Sequence, residues 1–182
     1  WNGNPNNVNN AVLKDKDQSI QEINTLASQQ QPFVFVISFD AASNYVFPLA
    51  EAARQGIYFE TPLHRNHPFP EGISRTLDIK SYPVDIKQYN IAFQEVMRHI
   101  RYGNTFLLNL TFPTRVTCNY SLQDIFSGSR AMFKLLVEDQ FVVFSPERFV
   151  RIQDGVISSN PMKGTMNASE PNAYALLQSD LK

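Results

Sequence analysis

Lys163 has the setting of a candidate nucleophile. It stands in Pro161-Met162-Lys163-Gly164-Thr165, between a proline that fixes the backbone and a glycine that lets a ligand approach the main chain. A lysine held at a strand end inside a sheet cavity is desolvated, which disfavours its charged form and frees its lone pair for attack. Spacing alone favours the other reading, a solvated turn lysine, the commoner state of that residue. Glu147 precedes Lys163 by sixteen residues, and hairpin-forming sequence between them can return both to one end of its strands. A carboxylic acid in an enclosed site there would protonate a leaving hydroxyl. The competing reading is a surface glutamate paired with Arg148 or Arg151.

Other polar residues carry less. His64 and His67 stand three apart with Glu60 as the only acidic neighbour, in a proline-rich loop that is a poor metal site. His99 lies beside Arg98 and Arg101, as on a solvated basic face. Asn109 interrupts an apolar run, where it would either bind a ligand or pin a neighbouring loop. The chain contains no glycine-rich phosphate loop, no GxSxG elbow and no HExxH, so nucleotide binding and serine hydrolysis lack support.

The elements that must position these residues follow from periodicity and punctuation. Ile20, Ile23 and Leu26 recur at helical spacing behind Ser19, with Glu22 completing a capping box. Phe33–Phe39 reads as a strand covered on both faces, and Tyr45–Phe47 as the returning arm of a hairpin. Pro62, Pro68, Pro70, Gly72 and Pro83 mark a loop region with a short strand around Arg75–Ile79. The strongest helix runs from Asp85 to Tyr102: Ile86, Tyr89, Phe93, Val96 and Ile100 form one stripe, Asp85 and Gln88 imitate a capping box, and Gly103 closes it. Thr105–Phe112 reads as a strand, and Arg115–Thr117 as its continuation. A short helix at Leu122–Phe126 and strands at Ala131–Glu138 and Phe141–Phe144 follow. Arg148–Ile152 and Val156–Ser159 around Asp154-Gly155 give a hairpin signal. No βαβ alternation is visible, so the class is α+β with a largely antiparallel sheet.

Composition narrows the function classes. The 182 residues are 43% hydrophobic and 12% aromatic, a globular mixture. Sixteen Lys and Arg against seventeen Asp and Glu leave a formal charge of −1, so no net field draws the chain to nucleic acid or to a membrane surface. Cys118 is the only cysteine, which excludes an intrachain disulfide and fits a reducing compartment. No window reaches the roughly 18 apolar residues of a membrane span. Residues 1–18, rich in asparagine at the start, read as a disordered or added tail, and 19–182 as the N-terminal part of a domain cut short at its C-terminus.

Three motifs in order carry a family resemblance. Phe144-Ser145-Pro146-Glu147-Arg148-Phe149, then Asn160-Pro161-Met162-Lys163-Gly164-Thr165, and upstream Gly103-Asn104-Thr105-Phe106-Leu107-Leu108-Asn109-Leu110 resemble the chorismate-utilising enzymes over roughly residues 20–182. Lysine in the third place of the PMKGT motif is similar to the branch of that family that forms 4-amino-4-deoxychorismate. The anthranilate-forming branch usually has alanine there, and the isochorismate- and salicylate-forming branches typically lack this lysine. Asn104 and Leu107 depart from the acidic residue and glutamine usual in the family, and Met166-Asn167 from a frequent Pro-Arg.

The resemblance implies a cytoplasmic enzyme that replaces the C4 hydroxyl of chorismate with an amino group, for para-aminobenzoate and folate synthesis. It assigns Lys163 as nucleophile at C2 and Glu147 as general acid and base, with Gly164 and Thr165 beside the substrate. It implies ammonia from a glutamine amidotransferase subunit, and a magnesium ion whose ligands are expected after Lys182. The chain therefore reads as the N-terminal part of a sheet sandwich, inactive alone, that associates with itself or with the remaining half. The alternatives are another chorismate enzyme, such as one forming anthranilate, or a non-catalytic binding module on the same fold.

Overall fold

Asp15 and Gln18 start the first helix of the computed structural model, which describes residues 12–70, 72, 76–145, 148, 150–159, 169 and 171–172. The Asp15 carboxylate accepts from the Gln18 N–H at 2.9 Å, and the Gln18 side chain accepts from the Asp15 N–H at 3.1 Å. This capping box opens α1 (Lys16–Ser28) ahead of Ser19, where the sequence reading starts the helix. Ser19 is buried instead: its hydroxyl donates to the Asp15 carbonyl at 2.6 Å and accepts from the fully buried Asn44 amide at 3.0 Å. Lys14 exchanges paired backbone hydrogen bonds with Asn44. Residues 14–18 thus belong to the fold and not to the tail expected over 1–18.

α1 packs on the hairpin of β1 (Phe33–Val36) and β2 (Tyr45–Pro48), paired Phe33 with Pro48 through Val36 with Tyr45. The expected hairpin is present, but β1 stops at Val36 and Phe35 is 55% exposed, so the strand is not covered on both faces. A 3-10 turn (Ala52–Gln55) ends at Gly56 in the left-handed conformation and leads into β3 (Ile57–Glu60). β3 pairs antiparallel with β6 (Phe133–Val137), and β6 with β7 (Phe141–Ser145), making a three-stranded sheet. Tyr45, Phe47, Ala52, Ile57 and Val137 form the buried core, flanked by Val34, Val36, Leu135 and Phe141. The Tyr45 hydroxyl donates to the Gln140 side chain at 2.9 Å, joining β2 to the β6–β7 turn.

The proline-rich loop ends in β4 (Ile79–Tyr82), a few residues later than Arg75–Ile79 suggests, because its partner β5 (Arg115–Cys118) fixes the register Ile79 with Cys118. α2 (Ile86–Tyr102) fits its forecast closely, with Gly103 at φ +86 receiving the chain. Its cap is simpler: the Asp85 carboxylate accepts from the Lys87 N–H at 2.8 Å. Residues 105–112 are not a strand. The Thr105 hydroxyl turns onto the Leu107 carbonyl, no partner strand lies alongside among the described residues, and Phe106 is 95% exposed. An apolar run without a ladder leaves its backbone groups to water.

α3 (Leu122–Gly128), opened by a Ser121–Asp124 capping box, packs fully buried Phe126 on β6 and β7. β8 (Arg151–Gln153) and β9 (Val156–Ser158) form the expected hairpin around Asp154-Gly155, both at positive φ. The fold is α+β with antiparallel strands in small sheets. Among the described residues no helix is long and apolar enough to cross a membrane.

Candidate functional site

Glu147, Lys163, Gly164 and Thr165 lie outside the described residues. The structure describes the elements that lead to them. β7 ends at Ser145, shortly before Glu147, and β8 and β9 are in register with Arg151 opposite Ser158. The two chain ends running toward Glu147 and Lys163 therefore leave the hairpin side by side. Arg148, which the sequence offers as a partner for Glu147, sets its guanidinium over the Phe133 ring, 5.9 Å from the centroid.

The minor candidates separate cleanly. His64 is an exposed turn residue whose N–H donates to the Thr61 hydroxyl at 3.0 Å. His67 is buried, its ring between Phe69 and Phe126, with Nε2 3.1 Å from Glu60 Oε2. The two histidines do not converge, and among the described residues no three His, Cys, Asp or Glu side chains group as a metal site. His99 is on the exposed side of α2, between Glu95 at 3.1 Å and Asn104 at 2.7 Å. Arg98 grips the same Glu95 at 2.6 Å, and with His99 holds that carboxyl down at about 2. Asn109 lies on exposed coil.

The cluster that sequence reasoning missed joins β3 to β6. Lys134 Nζ lies 2.6 Å from Glu60 Oε2, the oxygen that also faces His67, and only 5% of the Lys134 side chain is exposed. The ammonium also reaches the Ser129 carbonyl at 3.3 Å and stands over the Phe126 ring, 5.1 Å from its centroid. The pairing Glu60 with Lys134 across the strands sets the two opposite each other. The hydrogen bond from Lys134, then that of His67, hold the Glu60 carboxyl below its usual range against the effect of burial. The available signal was a lone charge inside the apolar run Phe133-Lys134-Leu135-Leu136-Val137. A cavity of about 350 Å³ opens beside the pair, bounded by Gly72 and the Ser127–Ala131 segment.

The α+β fold and the motif-bearing strands meet in one family. The chain belongs to the chorismate binding enzymes, whose family model matches residues 49–182. It is 40% identical over 159 residues to an uncharacterized PabA-like protein of Haemophilus influenzae, covering 85% of this chain and 47% of that protein. It is 37% identical over 163 residues to a second uncharacterized PabA-like protein, from Pasteurella multocida, covering 88% and 50%. Over 105 residues it is 27% identical to aminodeoxychorismate synthase component 1 of Klebsiella aerogenes, covering 52% of this chain and 23% of that one. The chain spans about half the length of the first two relatives. No solved structure matches it.

Proposed function

We propose that the protein carrying this chain is an aminodeoxychorismate synthase component I, which converts chorismate and ammonia to 4-amino-4-deoxychorismate. The observation that carries the reading is Lys163 in the third place of Pro161-Met162-Lys163-Gly164-Thr165, inside the span matched to the chorismate binding enzymes. Similarity to a component 1 of that name supports it. So does the β8–β9 register, which returns the chain between Glu147 and Lys163.

In this reading the Lys163 amine attacks C2 of the ring, the double bonds shift, and the C4–O bond breaks as Glu147 supplies the proton that makes water of the leaving hydroxyl. Ammonia then bonds to C4 while the C2–N bond to Lys163 breaks, and Glu147 takes the surplus proton. Gly164 and Thr165 offer a backbone N–H and a hydroxyl to a substrate oxygen. The ammonia comes from a glutamine amidotransferase partner, and the setting is cytoplasmic. Magnesium belongs to this reading through the resemblance alone, since the described residues supply no ligand set and no step here depends on it. The deciding experiment gives full-length protein chorismate, magnesium and ammonia and identifies the product. Aminodeoxychorismate supports the reading, whereas anthranilate or isochorismate replaces it with another chorismate chemistry.

A further inference from the structure

The cavity beside Glu60 and Lys134 is ringed by donors that the chemistry above leaves unused. We propose that it binds the oxyanion of a small molecule, phosphate or carboxylate, through Ser127, Ser129 and Arg130. Its volume of about 350 Å³ falls at the lower end of the range of small-molecule sites. Among the described residues Arg130 makes no ion pair, and neither the Ser127 nor the Ser129 hydroxyl donates a hydrogen bond. The planar Arg fork matches two oxygens of a carboxylate or phosphate at once. Gly128 sets no side chain between the two serines, and beside Gly72 a Cβ would meet nothing within 4 Å, so that wall is open backbone.

Several of the groups that would repel an anion are engaged. The Ser127 carbonyl accepts from the Gly72 N–H at 3.2 Å, and the Ser129 carbonyl from Lys134 at 3.3 Å. The Glu60 charge is offset by Lys134 at 2.6 Å and has His67 at 3.1 Å. Glu60 and Lys134 cancel, so among the described residues the rim keeps the Arg130 charge uncompensated. A polar wall that presents the Arg130 guanidinium selects a small anion and not an apolar body.

The test is an amide-resolved NMR titration of the 182-residue chain with inorganic phosphate and, in a separate arm, with benzoate, each against chloride at equal ionic strength. Saturable shifts confined to Gly72 and Ser127–Ala131 are expected, and the arm that saturates first tells a phosphate ligand from a carboxylate. Arg130→Gln should raise the midpoint about tenfold, as loss of a charge-assisted contact does, with Arg130→Lys between. Arg130 is exposed, so unchanged amide shifts elsewhere verify that the variant is folded. Shifts that chloride reproduces, that fail to saturate in both arms, or that persist undiminished in Arg130→Gln overturn the proposal.

Discussion

Lys134 of β6 and Glu60 of β3 face each other across the central strand pair with 2.6 Å between ammonium and carboxylate, enclosed by His67 and Phe126. Taking one partner of such a buried pair away strands the other, at about 3 kcal/mol or more, whereas replacing both by apolar groups is close to neutral. Glu60→Leu should therefore lower the free energy of urea unfolding more than the double variant Glu60→Leu with Lys134→Met. Equal losses for the single and the double variant would show that the pair is uncoupled.

The same carboxylate makes stability depend on acid. Glu60 is held below its usual value of 4.5 in the folded chain, by Lys134 first. A depressed carboxyl contributes stability that is complete above the unfolded value and fades as pH falls through the folded one. Wild type should lose more stability than Glu60→Gln between pH 7 and the acid side of 4.5. Parallel pH profiles for the two proteins would contradict this.

Two of the glycines at positive φ close regular elements. Gly103 at +86 closes α2 and Gly155 at +75 turns β8 into β9, and an added Cβ meets nothing within 4 Å at either. Substitution is thus a matter of conformation and not of crowding, and Gly103→Ala or Gly155→Ala should each destabilise by about 1 kcal/mol. Thermal melts of the two variants measure it, and an unchanged or raised midpoint goes against the assignment.

For the proposed amination, Lys163→Ala in the full-length protein should abolish product formation. Glu147→Gln should reduce turnover by roughly 10²–10⁴, the usual share of a proton-transferring group. Steady-state assays with saturating chorismate and ammonia decide it, and near-normal turnover in Lys163→Ala would point to a module that binds without this chemistry.

Much apolar surface has no cover among the described residues: α2 has no buried residue, Ile91 is 73% exposed, and Phe106 and Leu107 are 95% and 81% exposed. Patches of this kind associate. Sedimentation of the 182-residue chain should show concentration-dependent self-association, weakened in Ile91→Glu with Phe106→Glu. A monomer at all concentrations would speak against it.

Local chemistry was readable where one segment contains its own answer. α2 carries its stripe, Asp85 and Gly103 within a single stretch, and Asp154-Gly155 announces a hairpin whose two arms adjoin it. Tertiary choices were not. Thr105–Phe112 has the composition of a strand but no partner among the described residues, while β3 was overlooked because its pairing segment lies beyond α2 and α3. The Glu60–Lys134 pair was hidden for the same reason, and the motif residues Glu147 and Lys163 were found by pattern and stand outside the described structure.

The register of Ile57 with Val137 also dictates a timetable for biosynthesis. On the ribosome, β3 and the aromatic hairpin before it emerge while positions 61–132 are still to be made, and the strand that shields Ile57 arrives only after them. The nascent chain must wait with that greasy edge uncovered, which makes the pause between β3 and β6 the interval in which a chaperone would matter most to this polypeptide.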